Sequence, residues 1–233
     1  MKAAEIVEQL KPLGAENIKK ILLRHGVMEP VLGVKIEELK KFQKKIKRDY
    51  QLALDLFDTG IYDAMYLAGL IADDMKMSKA DLNHWVANAK SNAIAAYSVA
   101  WVAAQGKHGH EVALEWIDSK DENVATAGWA TLASIVALKP DAELDLAELK
   151  ALLQRVQKTI DDAPNRVRYV MNGFVIAVGT YVSALTETAV VLGKQLGKVE
   201  VFMGDTECKV PFAPEYIENA RKKGAKKRKT VKC

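Results

Sequence analysis

The chain has 233 residues, of which 49% are hydrophobic and 27% charged, with 34 Lys and Arg against 30 Asp and Glu. These fractions are typical of a globular protein with a sizeable core, and they exclude a disordered, collagenous or low-complexity chain. No apolar run reaches the roughly 18 residues of a membrane span, and acids occupy the N-terminus where a signal peptide would be apolar. Cys208 and Cys233 are too few for a disulfide framework. We therefore expect a cytoplasmic protein with free thiols and no membrane partner.

Apolar residues recur every three or four positions along nearly the whole chain, which indicates amphipathic helices. Capping and helix-breaking residues then predict helices near residues 2–11, 15–25, 36–47, 50–58, 62–74, 79–89, 91–104, 109–118, 122–138, 144–161, 165–180, 182–196 and 213–223. Residues 198–203 are the exception, because polar and apolar residues alternate there. This alternation predicts a small hairpin or an ordered loop.

The predicted helices are short and closely spaced, as in a solenoid in which each helix pair buries its apolar faces only against its neighbours. Starts near residues 79, 109, 144 and 182 lie about 30 to 38 residues apart, within the range of degenerate helical repeats. We therefore predict an all-α fold, an α-solenoid, with a compact irregular bundle as the alternative. Residues 1–220 would form one domain, and residues 221–233 a basic C-terminal tail.

Basic residues are concentrated in this tail, which has eight of them and no acid: Arg221, Lys222, Lys223, Lys226, Lys227, Arg228, Lys229 and Lys232. Without them the chain has 26 basic and 30 acidic residues, so a positive arm extends from an acidic body. Such a block attracts nucleic acid or an anionic surface by releasing counterions. The alternative is a solvated, disordered end that keeps the protein soluble.

A second basic segment coincides with the third predicted helix and contains Lys35, Lys40, Lys41, Lys44, Lys45, Lys47 and Arg48. Five of these cations recur at three- and four-residue steps and would form one stripe. A stripe of like charges destabilises its own helix, which indicates an anionic partner, and phosphate is the simplest one. The alternative is a plain solvent-exposed face above buried Leu39, Phe42 and Ile46.

Four tryptophans lie within helical patterns, and most of them are expected in the core. Trp85 differs because its neighbours in sequence are polar, so we predict that it stacks on a sugar or a base. No nucleophile elbow, phosphate-binding glycine loop or paired-cysteine zinc motif is present, and the four histidines lack a ligand spacing. We therefore expect neither a metal ion nor a cofactor.

Several consecutive segments resemble the DNA alkylation repair family, the HEAT-like-repeat alkylpurine DNA glycosylases of the AlkD type. They are Leu32-Gly-Val-Lys-Ile-Glu-Glu-Leu-Lys-Lys41, Leu52-Ala-Leu-Asp-Leu-Phe57, Gly60-Ile-Tyr-Asp-Ala64 and Leu67-Ala-Gly-Leu-Ile-Ala-Asp73, and the resemblance runs from about Gly33 to Leu196. It implies an α-solenoid of HEAT-like repeats whose concave basic face holds duplex DNA by its backbone.

In active members of that family, a Trp-x-x-x-Asp step places an indole and a carboxylate beside the sugar of the lesion, and an arginine from the next repeat completes the site. The carboxylate stabilises the oxocarbenium-like sugar that forms when a cationic alkylpurine departs. The corresponding step here is Trp85-Val-Ala-Asn-Ala89, and the arginine position corresponds to Ala127 or Gly128. Both charged groups are then missing. Asp81, four residues before Trp85 on the same helical face, is the candidate replacement.

These observations favour a monomeric DNA-binding member of the family that holds duplex or distorted DNA by its phosphates, with weak or no base excision. The expected DNA contacts are Lys35, Lys40, Lys41, Lys44, Lys45, Arg48, Trp85, Arg166, Arg168, Lys226, Lys227, Arg228 and Lys229. Two alternatives stay open. One is an active alkylpurine DNA glycosylase that uses Asp81, and the other is a protein-interaction scaffold, a common role of helical solenoids.

Overall fold

The computed structural model describes residues 2–232. Cys233, to which the sequence assigns no role, lies outside them. The described residues form fourteen α-helices: α1 (Ala3–Leu10), α2 (Glu16–Arg24), α3 (Ile36–Ile46), α4 (Tyr50–Asp58), α5 (Tyr62–Ile71), α6 (Lys79–Ala87), α7 (Asn92–Ile94), α8 (Ala100–Gln105), α9 (Gly109–Trp116), α10 (Glu122–Leu138), α11 (Leu146–Thr159), α12 (Asn165–Tyr181), α13 (Thr186–Leu196) and α14 (Ala213–Lys222). The prediction of an all-α protein is confirmed.

Side-chain caps explain why these helices begin where they do. Asp49, Ser78, Ser91, Asp121 and Asp145 each accept a hydrogen bond from a backbone N–H in the first turn of the helix that follows. Such a bond satisfies a donor that has no partner within the helix. The caps are local in sequence, so the predicted helix positions agree closely with the observed ones.

The helices from α4 onward form two layers. The second layer consists of α5, the α7–α8 unit, α10, α12 and α14, and each of these helices packs on the next one in the series. Two clusters of buried side chains lie between the layers, one centred on Phe57 and Trp85 and the other on Trp129 and Phe174. The fold is therefore a stack of helix pairs, as the spacing of the predicted helix starts indicated.

A π-helical segment, Ala95–Val99, joins α7 to α8 within the second layer. At this point α5 approaches very closely, because a Cβ atom added at Gly69 would lie 2.7 Å from Cβ of Ser98. Such π segments are frequent at functional sites. Here the segment contains Tyr97, which remains 44% exposed.

The N-terminal helices are attached to the second layer through a buried carboxylate. Asp63 at the start of α5 accepts backbone N–H bonds from Leu32 and Val34, at 2.6 and 2.7 Å, and so fixes the loop that leads into α3. Burial raises the pKa of Asp63, and these backbone hydrogen bonds oppose that rise. The position of α3 beside α5 follows from this attachment.

The segment 198–212 contains no strand and is an ordered loop, the second of the two predicted alternatives. Its clearest attachment is Asn165 at the start of α12. The Asn165 side chain donates to the carbonyl of Phe202 at 2.8 Å and accepts from the Phe202 amide at 2.7 Å. The loop is therefore held against the N-terminal end of α12.

The basic C-terminal segment is not a detached arm. α14 extends to Lys222, two residues beyond the predicted domain boundary, and the chain then crosses the C-terminal ends of the second-layer helices. Lys227 Nζ donates to the carbonyl of Val136 at 2.9 Å, the amide of Arg228 donates to Ala137 at 2.8 Å, and Lys232 Nζ donates to Ala72 at 3.2 Å. Helix C-termini carry unpaired carbonyls and partial negative charge, which explains why a basic segment binds there.

Within residues 2–232, no single helix is long and apolar enough to cross a membrane. One bent pair, Asn165–Tyr181 with Ser183–Leu196, meets the length and composition test only when both helices are taken together, and its axes differ by 116°.

Candidate nucleic-acid interface

The lysines predicted to form a stripe on α3 are exposed. Lys40, Lys41, Lys44 and Lys45 all face solvent, while Leu39 is buried beneath them. Lys41 forms an ion pair with Glu38 at 2.7 Å, and this partner raises the pKa of the Lys41 ammonium. The helix therefore presents four of the five predicted cations to solvent, while Arg48 lies beyond its last residue, Ile46.

The two basic segments of the sequence meet at one cleft of about 660 Å³ beside the C-terminal ends of α5, α8 and α10. Among the described residues that line it, six are cationic and two, Asp74 and Glu143, are acidic. The cations are Lys47, Arg48, Lys139, Arg228, Lys229 and Lys232. Residues that are distant in sequence thus combine into one positively charged surface, which we call the basic cleft.

Different elements supply the cations of the basic cleft. Lys47 and Arg48 follow the last turn of α3, where Lys47 adopts a left-handed conformation with φ of 67° that ends the helix. Lys139 follows α10, and the C-terminal segment supplies the other three. Because the C-terminal segment is bound to the helix ends, its cations are held in place rather than dispersed in solvent.

The predicted tail contacts divide into two groups. Lys226, Arg228 and Lys229 are exposed, and Arg228 Nε donates to the hydroxyl of Tyr181 at 3.0 Å. Lys227 instead uses its ammonium group within the protein, because it also forms an ion pair with Asp141 at 2.9 Å. The ammonium group of Lys227 therefore stabilises the fold, and it would have to leave these contacts to bind a partner.

Arg166 and Arg168 lie on α12, away from the basic cleft. Arg166 lines a separate cavity with Tyr62, Tyr97 and Tyr169, at the opposite ends of the second-layer helices. Arg168 lines a shallow depression beside the loop 198–212. The structure does not bring these two arginines together with the α3 lysines.

The prediction that Trp85 stacks on a base or sugar is wrong for this structure. The indole has no exposed surface, and it stacks on Phe57 with ring centroids 4.2 Å apart. Among the described residues, its Nε1 atom has no hydrogen-bond partner. Trp85 is a core residue, and within residues 2–232 no carboxylate forms a hydrogen bond with its indole.

Asp81 caps α6 rather than facing an open site. Its carboxylate accepts hydrogen bonds from the amide and hydroxyl of Ser78 and from the hydroxyl of Tyr50, at 2.8, 2.7 and 2.8 Å. Burial alone would raise the pKa of Asp81, but the hydrogen bonds from Ser78 and Tyr50 outweigh it and hold the pKa below its ordinary value. The carboxylate is ionised and already engaged at neutral pH.

The positions matched to the family's carboxylate and arginine also lie in the core. Ala89 is 5% exposed, Ala127 has no exposed surface, and Gly128 packs against the backbone of Ile117. A charged side chain at any of them would not reach a ligand. The matched positions are therefore buried in this chain, and the absence of the family's Asp and Arg stays a prediction.

A group of aromatic side chains that no sequence pattern above identified lies on the second layer. Tyr97 and Trp101 have ring centroids 5.5 Å apart, and Tyr66 meets Trp101 edge-on at 5.5 Å. Tyr62 adjoins Tyr66 at 6.5 Å, and burial raises the pKa of the Tyr62 hydroxyl well above its ordinary value. The available signal was the four-residue spacing of Tyr97 and Trp101 on one helix.

Among residues 2–232, no group of three or more His, Cys, Asp or Glu side chains is arranged to hold a metal ion. The His108 and His110 pair does not converge on one point, because His110 Nε2 contacts Glu148 at 2.8 Å while His108 precedes α9 as its N-cap.

Comparison with known proteins agrees with this fold. Residues 6–196 match the family described as DNA alkylation repair enzyme. The chain is 33% identical to Lin0241 of Listeria innocua and 32% identical to Lmo0209 of Listeria monocytogenes, both uncharacterized proteins, over 91% of this chain and 94% of each relative.

A solved structure matches with a TM-score of 0.92 and 34% identity over 100% of both chains. That protein is described as a member of a new family related to the HEAT-like repeat DNA glycosylases, with affinity for branched DNA structures. The fold of the present chain is thus an α-solenoid of HEAT-like repeats, as the resemblance implied. The chain belongs to the DNA alkylation repair enzyme family.

Proposed function

We propose that this protein binds DNA, with a preference for branched structures, by holding phosphates in the basic cleft, and that it excises bases weakly or not at all. The observation that carries the proposal is the convergence of Arg48, Lys139 and Lys229 from three parts of the chain on one cleft. Cations fixed in one place neutralise closely spaced phosphates and release their counterions.

The proposed preference for branched DNA is supported by the shape and composition of the basic cleft. Where DNA strands diverge, phosphates of different arms approach each other, and a cleft with cations on more than one side can contact them together. The basic cleft has cations at the α3 end, the α10 end and the C-terminal segment. The structural relative's affinity for branched DNA supports the same preference.

Weak or absent excision is supported by the state of the two candidate catalytic side chains. Trp85 is packed in the core, and the Asp81 carboxylate accepts three hydrogen bonds that fix the start of α6. All three hydrogen bonds go to Oδ2, so they orient the carboxylate toward Ser78 and Tyr50, and we expect it to contribute little to stabilising a positive charge on a sugar.

Fluorescence anisotropy with a four-way junction and a duplex of matched sequence tests DNA binding. The variant Arg48→Ala/Lys139→Ala/Lys229→Ala should lose at least about tenfold in affinity at moderate salt, because each lost phosphate contact weakens binding. The control variant Lys150→Ala/Lys158→Ala/Lys194→Ala removes the same charge from exposed positions on α11 and α13 and should retain binding. Equal losses in both variants would contradict the cleft assignment.

A base-release assay on duplex containing 7-methylguanine tests the second part of the proposal. We expect no turnover above background. Turnover that Asp81→Asn abolishes would establish the alternative, an active glycosylase. If neither the four-way junction nor the matched duplex is bound at low salt, a protein-interaction scaffold becomes the better explanation.

We also propose that the protein is cytoplasmic and acts as a monomer. Light scattering on the purified chain checks whether it is a monomer.

A further inference from the structure

We propose that the cavity lined by Tyr62, Tyr97, Tyr169, Thr126 and Arg166, which we call the tyrosine cavity, binds a nucleobase that is out of its stack. The cavity has a volume of about 430 Å³, within the range of small-molecule sites. It lies at the first turns of α5, α10 and α12, under the π-helical segment and the loop 198–212. The inference rests on the proposed function for the source of the base.

Flat aromatic surfaces make this cavity suitable for a planar ring. Tyr97 is 44% exposed and lines the cavity, so it marks the opening, while Tyr62 and Tyr169 are partly buried. Bases stack on aromatic side chains with little dependence on sequence, because every base has a π face. Three tyrosines at one cavity provide such faces at its mouth and walls.

Polar groups at the cavity can bind the edge of a base. Thr126 is 1% exposed, and its hydroxyl is buried without a hydrogen-bond partner among the described residues. An unpaired buried hydroxyl is costly, which indicates that a ligand group completes its hydrogen bonding. The side-chain amide of Asn92, which both donates and accepts, lines the same cavity and matches the mixed donor and acceptor edge of a base.

The charge of the cavity fits the phosphate that accompanies a base. Of the lining residues that the structure describes, none is Asp or Glu, whereas Arg166 and Lys209 are cationic. Within residues 2–232, the guanidinium of Arg166 donates to Met203 Sδ, a weak acceptor, at 3.4 Å and makes a long contact of 3.4 Å with the carbonyl of His25. Such a guanidinium can turn toward a phosphate at little cost.

The tyrosine cavity and the basic cleft lie at opposite ends of the same helix. Thr126 stands near the start of α10 and Leu138 at its end, so the two sites are separated by about 18 Å along the helix axis. One DNA molecule can therefore contact both, with its phosphates in the cleft and an unstacked base in the cavity. Branch points supply such bases because stacking is interrupted there.

The test compares two three-way junctions that differ at one position. One contains an unpaired adenine at the branch point, and the other has an abasic residue there, with the phosphate retained. Wild-type protein should bind the adenine junction at least about fivefold more tightly, the lower end of what one stacked base contributes. Tyr97→Ala should bring this ratio close to one, and Thr126→Val should lower it while preserving side-chain volume.

Leu146→Ala, which removes an exposed apolar side chain from α11, is the matched control and should leave the ratio unchanged. A ratio of one for wild type, with both junctions still bound, would overturn this inference and leave the proposed function intact. Loss of binding to both junctions at low salt would instead overturn the proposed function. A ratio above one that Tyr97→Ala does not alter would place base recognition elsewhere and also overturn the inference.

A second experiment determines whether the cavity binds a free nucleoside or only a base that is part of bound DNA. Free 2-aminopurine deoxyriboside is titrated by fluorescence against the wild type and Tyr97→Ala. Saturable quenching that the substitution removes supports the cavity as a site for free nucleosides as well. Quenching only when 2-aminopurine is placed at the branch point of the junction supports a base supplied by bound DNA. Absence of both signals contradicts the site.

Discussion

Lys232 Nζ lies 2.6 Å from Asp74 Oδ1, and neither side chain is more than 9% exposed. This ion pair joins the C-terminal segment to the loop that follows α5, at the opposite end of the solenoid from α14. Gln105 also donates to Asp74, at 2.9 Å. Burial raises the pKa of Asp74 and lowers the pKa of Lys232, and the attraction between the two charges opposes both shifts. The contact fixes one wall of the basic cleft.

We predict that Lys232→Met lowers the free energy of unfolding by about 3 kcal/mol, because it leaves Asp74 buried without its cation. Urea denaturation measures the loss. Lys226→Met changes an exposed lysine of the same segment and should have an effect within about 0.5 kcal/mol. The double variant Asp74→Asn/Lys232→Met should recover part of the loss, and no recovery would mean that the two side chains are not coupled.

The loss of stability caused by Lys232→Met should also depend on pH. Without Lys232 the pKa of Asp74 rises further, so the penalty is present above that pKa and disappears as pH falls through it and the carboxyl group becomes protonated. The stability difference between wild type and variant should therefore be largest near neutral pH and smaller in acid. A difference that grows on acidification would contradict this assignment.

The helices and the α3 stripe could be predicted because their signals are local. Caps such as Ser78 and Asp121 lie within three residues of the amides that they bind, and the α3 lysines recur at helical spacing. The docking of the C-terminal segment could not be predicted in this way. Lys232 binds Asp74 across 158 positions, and no periodicity encodes such a contact.

The sequence around Trp85 does not reveal its burial, because the polar residues next to it occupy other faces of the same helix. Asn83 accepts a hydrogen bond from Trp116, and His84 contacts Asp58 at 2.7 Å. At about 100° per residue these side chains point away from the indole, which faces Phe57 in the core. A polar stretch of sequence therefore did not mean a polar environment.

A binding prediction separates the cleft from the overall charge of the protein. Lys47→Ala/Arg48→Ala should make the dependence of log Kd on log salt shallower by roughly 0.9 for each phosphate contact that is lost. Titrations of a four-way junction at several salt concentrations give the slope. Lys150→Ala/Lys158→Ala carries the same net charge and should keep the wild-type slope. An unchanged slope in the cleft variant would exclude these two residues as phosphate contacts.

A third prediction concerns Trp85. Trp85→Ala should cost about 3 to 5 kcal/mol of stability because it opens a large cavity in the core. Trp85→Phe should cost much less, since Phe can still stack on Phe57 and the indole Nε1 has no hydrogen bond to lose. The folded Trp85→Phe protein should bind DNA like the wild type in the same anisotropy assay. Selective loss of DNA binding by this variant would restore a direct role for the indole.

A fourth prediction concerns Asp81, whose carboxylate is part of the capping box at the start of α6. Asp81→Asn should lower the free energy of unfolding by about 1 kcal/mol at pH 7, because it weakens the reciprocal hydrogen bonds with Ser78. The pKa of Asp81 is held below its ordinary value in the folded protein, so this contribution is complete above the ordinary carboxyl range and is lost as pH falls through the folded-state pKa. The difference in Tm between wild type and variant should therefore be constant near neutrality and should narrow below about pH 4.

The control for this prediction is Asp55→Asn, which alters an exposed carboxylate on α4. It should change the free energy of unfolding by less than about 0.5 kcal/mol over the same pH range. An Asp81→Asn protein with wild-type stability at neutral pH would mean that the carboxylate is not a cap, and its role in chemistry would then be open again.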